Sequence, residues 1–251
     1  MRFEITLPLT HRFNDHSRIT FSLEDGQKPI IFEEGIHYLD GENGAGKSTF
    51  LSILSLLSGS VGKAAGDESG KIKYGREAYA DQKFDYLKAA EIRENDFCIF
   101  SQDVFFLPGL TIKENYRILN RMNDAGGFPS DKYASSLSGG EQQERFIRIL
   151  LQENKKVWFL DEPFNNLDQR NRQRFWELLK TSYSESPKII FLIDHGMSNI
   201  AENNEHFILY TSLRVSSQNR EDDPAFLKIY SIQEPIKFLE GLAVGTKKHP
   251  N

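Results

Sequence analysis

An α/β fold, a mainly parallel sheet flanked by helices, is predicted by three features of this 251-residue sequence. Between residues 97 and 210, short apolar runs alternate with longer amphipathic segments, the pattern of strands joined by crossover helices. A glycine-rich loop at residues 41–49 joins a strand-like run to a helical one. Ahead of it, residues 1–34 alternate brief apolar runs with turn residues, which predicts an N-terminal antiparallel β subdomain.

The elements follow in order. Residues 2–7, 19–23 and 30–32 are the N-terminal runs, and residues 36–39 form the strand entering the loop. Phe50, Leu51, Ile53, Leu54, Leu56 and Leu57 then recur at helical spacing until Gly59. A stretch rich in Gly, Ser, Lys and Asp contains a strand at 71–74, and residues 76–95 are charged, with one surface helix. Residues 97–100 read as a strand ending at Ser101-Gln102. Thr111, with Glu114 three residues on, caps a helix over 111–123 that Gly126-Gly127-Phe128-Pro129-Ser130 interrupts. A helix over 140–154 carries Phe146, Ile147, Leu150 and Leu151 on one side. Residues 157–160 and 189–193 are buried strands around a helix at 168–183, and 207–210 is the next strand. Residues 216–223 read as a polar loop and 236–244 as a short helix.

Bulk properties narrow the function classes. The length suits one large domain or two small subdomains with a sizeable core. A formal charge of −5, with no dense Lys/Arg cluster, argues against a nucleic-acid partner. The single cysteine, Cys98, excludes an internal disulfide, fits a reducing compartment and lies in an apolar run as a small core residue. No apolar stretch approaches the ~18 residues that a membrane span needs, and the N-terminus lacks a signal-peptide core. A cytoplasmic protein is expected, with any membrane work left to a partner.

The loop reads Gly41-Glu42-Asn43-Gly44-Ala45-Gly46-Lys47-Ser48-Thr49 and satisfies G-x-x-x-x-G-K-[ST], the phosphate-binding P-loop pattern. Glycines let the backbone turn its N–H groups toward phosphate oxygens, and the helix that follows adds partial positive charge beneath them. Lys47 supplies a full positive charge to the β- and γ-phosphates, and the Ser48 hydroxyl suits Mg²⁺. Strand, glycine loop and helix together predict a nucleoside-triphosphate site on a P-loop core.

Two further segments extend that chemistry. Val157-Trp158-Phe159-Leu160-Asp161-Glu162-Pro163 is an apolar strand ending in two carboxylates. Beside the loop, Asp161 would hold Mg²⁺ through its water shell, and Glu162 would orient and deprotonate the attacking water. Leu137-Ser138-Gly139-Gly140-Glu141 opens the helix over 140–154 as a second anion cradle without a lysine. One nucleotide has little use for two cradles on one subunit, so a two-fold dimer is expected, each chain capping the γ-phosphate bound by the other.

These motifs in this order resemble the ATP-binding-cassette family, the nucleotide-binding subunits of ABC transporters, across residues 1–212. Residues 41–49 look like its Walker A, Asp161-Glu162 like its Walker B with the catalytic glutamate, and residues 137–141 like its signature. The resemblance implies that Gln102 is the Q-loop residue that contacts Mg²⁺ and senses the membrane subunit. It also makes Leu167-Asp168 part of the D-loop between subunits, and His195 the switch residue on the γ-phosphate. The family stacks adenine on an N-terminal aromatic, for which Phe13 is the candidate and Phe21 the rival. Residues 100–111 with Glu114-Asn115, and residues 137–143, are locally similar to the lipoprotein-release and macrolide-export branch.

The sequence departs from the family pattern in places. Only 34 residues separate Gln102 from Leu137, so a shortened helical subdomain is expected at about 103–140, with an altered partner-docking surface. Glu144 stands where Arg is usual, Asn165-Asn166-Leu167-Asp168 where Ser-Ala-Leu-Asp is common, and Asp194 precedes His195. Residues 213–251 match nothing recognised and form a C-terminal extension for packing, regulation or docking. The resemblance implies an ATP-hydrolysing transporter subunit that takes ATP and Mg²⁺, pairs with a second ATPase subunit as a homo- or heterodimer, and drives a separate transmembrane permease. It would sit peripherally at the inner membrane face through that permease. The alternative is a soluble non-transport cassette ATPase acting on DNA or ribosomes. The single cassette and the lack of a coiled-coil insertion weigh against it.

Overall fold

A strand buried on both faces reads as a near-continuous apolar run, and two strands of the chain do: Ile189–Ile193 is apolar throughout and Val157–Asp161 is apolar up to its final aspartate, and both are buried along their length. They are hydrogen-bonded neighbours in register, Val157 beside Ile189 and Asp161 beside Ile193. The computed structural model describes residues 2–12, 18–23, 29–40, 43–57, 70–75, 77–80, 86–101, 106–120, 131–152, 154–165, 167–194, 210–216 and 225–231. In chain order the elements begin with β1 (Phe3–Thr6), β2 (Leu9–Arg12), β3 (Arg18–Leu23), β4 (Ile30–Phe32), β5 (Gly35–Asp40) and α1 (Lys47–Leu54). Next come β6 (Lys71–Tyr74), β7 (Glu77–Ala80), α2 (Tyr86–Asp96), β8 (Phe97–Phe100) and α3 (Ile112–Asn120). The remainder is α4 (Gly139–Gln152), β9 (Val157–Asp161), α5 (Gln169–Glu185), β10 (Ile189–Ile193), β11 (Tyr210–Ser216) and β12 (Ala225–Ser231).

Two sheets result. A four-stranded antiparallel sheet has the order β4-β1-β6-β7, and an eight-stranded sheet has the order β2-β3-β12-β11-β5-β10-β9-β8. Five neighbours in the larger sheet, β11, β5, β10, β9 and β8, run parallel. The N-terminal strands divide between the sheets: β1 and β4 join the smaller, while the antiparallel β2–β3 hairpin lies at an edge of the larger. Period-2 alternation sorts the core into two layers. Leu39, Phe97, Val157, Phe159, Ile189, Phe191 and Ile193 face the small sheet and α1, while Cys98, Phe100, Trp158, Leu160, Ile190 and Leu192 face α3, α4 and α5. Phe3 joins the sheets, its ring 5.4 Å from that of Phe191 and 6.2 Å from that of Phe159. Cys98 is buried, as its apolar run predicts.

Helix ends follow local chemistry. The helix expected to run to Gly59 stops at Leu54, where Leu57 N–H reaches the Ser52 carbonyl at 3.0 Å and Leu56 N–H reaches that of Ile53 at 3.0 Å. Those two bonds form a Schellman cap, with Leu56 at φ 58° in the place that glycine usually takes. Helix α3 opens on the expected capping box: Glu114 accepts from Thr111 N–H at 2.7 Å, and Glu114 N–H donates to the Thr111 hydroxyl at 3.2 Å. Just past α5, the buried Lys188 donates to the carbonyls of Ser182 at 3.0 Å and Ser186 at 2.7 Å, placing positive charge at the negative end of the helix. Burial pushes the Lys188 ammonium pKa down.

The boundary expected after residue 212 falls inside β11, and β12 pairs antiparallel with β11 and parallel with β3. Of the polar loop expected at 216–223, Ser216 ends β11 and the rest lies outside the described residues, as do 236–244, expected as a helix, and residues 121–130 of the helical subdomain.

Candidate functional site

The glycine loop follows the C-terminal end of β5, which lies between β11 and β10 in the parallel part of the sheet, and the carboxyl ends of parallel strands are where open α/β sheets place ligands. Gly44 has φ 78° and Gly46 φ 94°, backbone conformations that side chains resist. Gly46 has a second constraint: a Cβ there would lie 2.6 Å from Ile19 Cδ1 and 3.3 Å from Phe21 Cζ, both on β3. The β2–β3 hairpin therefore backs the loop. Gly46 is the N-cap of α1 and offers no side-chain bond to its first turn, and a helix N-terminus presents N–H groups and partial positive charge suited to an anion. A cavity of about 390 Å³ opens over this turn, lined by Asn43, Gly44, Gly46, Lys47, Ser48, Thr49 and Glu162. That volume is in the range of small-molecule sites. Ala45 packs into the core beneath it, and Lys47 is only 7% exposed.

Behind the loop, His37 of β5 is buried against Phe32, with ring centroids 4.9 Å apart. Its Nε2 lies 2.7 Å from the Glu33 carbonyl, so Nε2–H donates. Among the described residues His37 Nδ1 has no partner. Burial pushes its pKa down to about 4, against a smaller opposing effect of the Glu33 carbonyl.

Glu162 enters the same cavity from β9. The strand ends at Asp161, which pairs with Ile193 and is 9% exposed. Glu162 then takes φ 50°, and its N–H donates to the Ile193 carbonyl at 2.9 Å. Asn165 N–H closes a turn onto the Glu162 carbonyl at 3.1 Å, and Asn165 Nδ2 donates to Glu162 Oε2. Pro163 sits in the second position of that turn, the place proline favours. Its carbonyl accepts from Gln143 Nε2 at 2.9 Å. Phe164 anchors the turn in the core, stacked on Trp176 at 5.0 Å and edge-on to Phe175 at 4.9 Å. Across the sheet, the Tyr38 hydroxyl of β5 donates to the Asp194 carbonyl, which steadies the end of β10.

Ser48 is exposed and lines the cavity, while Asp161, next to Glu162 at the end of β9, is nearly buried and not among the described residues lining it; together they would supply a hydroxyl and a carboxylate. That set fits Mg²⁺, which takes one or two protein oxygens and completes its shell with phosphate and water. Among the described residues no group of three or more His, Cys, Asp or Glu could form an all-protein metal cage.

The second cradle lies apart from the cavity. Ser138 caps α4: its N–H and hydroxyl both donate to Glu141 Oε2 at 2.9 Å, and Glu141 N–H donates to the Ser138 hydroxyl at 3.3 Å. These bonds, the Ser138 N–H first, hold the Glu141 carboxyl below the usual carboxylate range. Ser138 and Gly139 are exposed, Gly140 is half-buried, and a Cβ on Gly139 would meet nothing within 4 Å. None of these three is among the described residues lining the cavity. Glu144 pairs with Arg174 at 3.2 Å, joining α4 to α5. Asp168 is exposed and caps α5, its Oδ1 accepting from Asn171 N–H at 2.8 Å.

Gly41, Gln102, His195 and Phe13 lie outside the described residues. Phe21, the rival for adenine stacking, is fully buried, its ring 5.0 Å from that of Phe50, and so offers no face to a base. Sequence reasoning passed over Asn165, Gln143 and Tyr38 as site residues. Asn165 stood out in the sequence only as the first residue of Asn165-Asn166-Leu167-Asp168, where Ser-Ala-Leu-Asp is common.

The sequence model described as ABC transporter matches residues 30–165. The petrobactin import ATP-binding protein YclP of Bacillus subtilis is 28% identical over 223 residues, covering 82% of this chain and 85% of that one. The lipoprotein-releasing system ATP-binding protein LolD of Treponema denticola is 28% identical over 201 residues, covering 73% and 81%. Among solved structures, a dimeric ATP-binding cassette in a post-hydrolysis state, bound to ADP and Pi, superposes with a TM-score of 0.63 at 18% identity. It covers 92% of this chain and 99% of that one.

Proposed function

Because this chain belongs to the ABC transporter family, we propose that its ATP-binding and hydrolysing cassette works as one half of a dimer that closes around two ATP molecules and drives a separate transmembrane permease. The observation that carries the reading is the single cavity shared by the Asn43–Thr49 loop and Glu162, a phosphate cradle and a carboxylate facing the same space. Loop N–H groups, the N-terminus of α1 and Lys47 bind the β- and γ-phosphates and offset charge that develops on them. Ser48 and Asp161, with Gln102 expected beside them, would hold Mg²⁺, which supplies further charge neutralisation on the phosphates. Glu162 takes a proton from the attacking water as its oxygen bonds to the γ-phosphorus. The bond from that phosphorus to the β–γ bridging oxygen breaks, releasing ADP and phosphate. His195 is assigned to the γ-phosphate and Phe13 to adenine.

Ser138, Gly139 and Gly140 of a second chain would complete the site. Their exposure on α4, away from the cavity of their own chain, supports that role. Asp168 would lie at the same junction. Among the described residues no helix is long and apolar enough to cross a membrane, which fits a subunit held at the inner face by its permease. The relatives carry names of both import and release systems, which supports transport without choosing a direction.

The test is Glu162→Gln, which should bind ATP, lose turnover and accumulate as a dimer by light scattering. Normal turnover would sink the role given to Glu162. Failure of ATP to promote any dimer would sink the composite site.

A further inference from the structure

Glu162-Pro163-Phe164-Asn165 is a turn whose closing bond, 3.1 Å from Asn165 N–H to the Glu162 carbonyl, brings the fourth side chain back to the first. Asn165 Nδ2 donates to Glu162 Oε2. Chemistry fixes the direction, since an ionised carboxylate only accepts and the carboxamide must present its NH₂. The turn is held on three sides. Glu162 N–H is bonded to β10, the Pro163 carbonyl to Gln143 of α4, and Phe164 is locked against Trp176 and Phe175 of α5. A rigid frame therefore aims the Asn165 amide at Glu162, the one carboxylate among the described residues that line the cavity.

Resting on the reading of Glu162 as general base, we propose that Asn165 is a positioning residue for it: the carboxamide holds the Glu162 carboxylate in one rotamer, so that it meets the attacking water in a single orientation. A glutamate side chain has three torsions, the last of them broad, and a general base must come within hydrogen-bond reach of the proton it takes. The amide bond removes that freedom before substrate arrives. Asn165 itself touches neither water nor phosphate in this role.

Steady-state ATP hydrolysis by full-length variants tests it, with melting temperature and ATP affinity measured alongside. Asn165→Ala removes the donor and should lower kcat on the order of tenfold while KM for ATP stays within about twofold. Asn165→Ser is as small as alanine but keeps an O–H donor, and should retain clearly more kcat than Asn165→Ala. Asn165→Asp, equal in size but without a donor, should fall at least as far as alanine. Equal kcat for the Ala and Ser variants, a loss confined to KM, or wild-type turnover by Asn165→Ala would each overturn the proposal. Should Asn165→Ala not fold, the Ser and Asp pair decides by the same split between kcat and KM. Glu162→Gln separates the two failures. Turnover lost there but kept in Asn165→Ala removes the positioning role alone, whereas turnover kept in Glu162→Gln removes both.

Discussion

Gln143 donates its side-chain amide to the carbonyl of Pro163 at 2.9 Å, both groups buried. The bond ties α4, the helix that Ser138 caps, to the turn that presents Glu162. Gln143→Leu keeps the bulk but leaves a buried carbonyl unpaired, at a cost of about 1–3 kcal/mol. Urea unfolding should register that loss. ATP turnover should fall with it, because the turn loses one of its three supports, and unchanged stability and turnover would show the bond to be idle.

Gly46→Ala should damage folding and nucleotide binding together. Its φ of 94° is strained for any other residue, and the added methyl would meet Ile19 at 2.6 Å. The backbone strain alone is roughly 1–3 kcal/mol. Calorimetric titration with ATP, beside thermal melting, should show weaker binding and a lower Tm; a variant that binds ATP as wild type would contradict the backing of the loop by β3.

Acid should destabilise the fold through His37. Its pKa stands at about 4 folded against 6.5 unfolded, so the unfolded chain binds a proton first as pH falls. The neutral ring's contribution is complete above pH 6.5 and is lost as pH drops from 6.5 to about 4, amounting to about 3 kcal/mol. His37→Gln cannot titrate there, so its unfolding free energy should fall less steeply than wild type over this window. Parallel curves would remove His37 as the source.

Phe3→Ala should cost about 3–5 kcal/mol, the range for deleting a buried aromatic ring. Phe3 packs on Phe32 and Tyr74 of the small sheet and on Phe97, Phe159 and Phe191 of the large one. The loss should appear in chemical denaturation as a lower midpoint, and a small effect would mean that the sheets are held together elsewhere.

Much of this was legible in the sequence, for physical reasons. Strands β9 and β10 announce themselves because burial on both faces demands an unbroken apolar run, and α3 because Thr111 and Glu114 form a capping box at fixed spacing. The loop and Asp161-Glu162 are legible because phosphate chemistry requires those residue types in that order. Strand neighbours are not locally encoded. Nothing within residues 225–231 says that β12 lies between β11 and β3, since its partners are distant in the chain. Likewise the contact of Asn165 with Glu162 depends on φ 50° at Glu162 and on closure of the turn, for which Pro163 is only a partial signal.

The position of β12 also sets an order of events during synthesis. β3 carries Ile19 and Phe21, the side chains behind Gly46, yet its neighbours in the sheet are β2 and β12. A nascent chain emerging from the ribosome can close the small sheet once residue 80 is out, because β4, β1, β6 and β7 all precede that point. The β2–β3 hairpin must wait until Ser231 has cleared the exit tunnel before its link to the large sheet exists. Until then the rear wall of the nucleotide loop is held by packing such as Phe21 on Phe50 without the β12 pairing, so ATP should be held more weakly by a partly made chain, and full competence to bind arrives late.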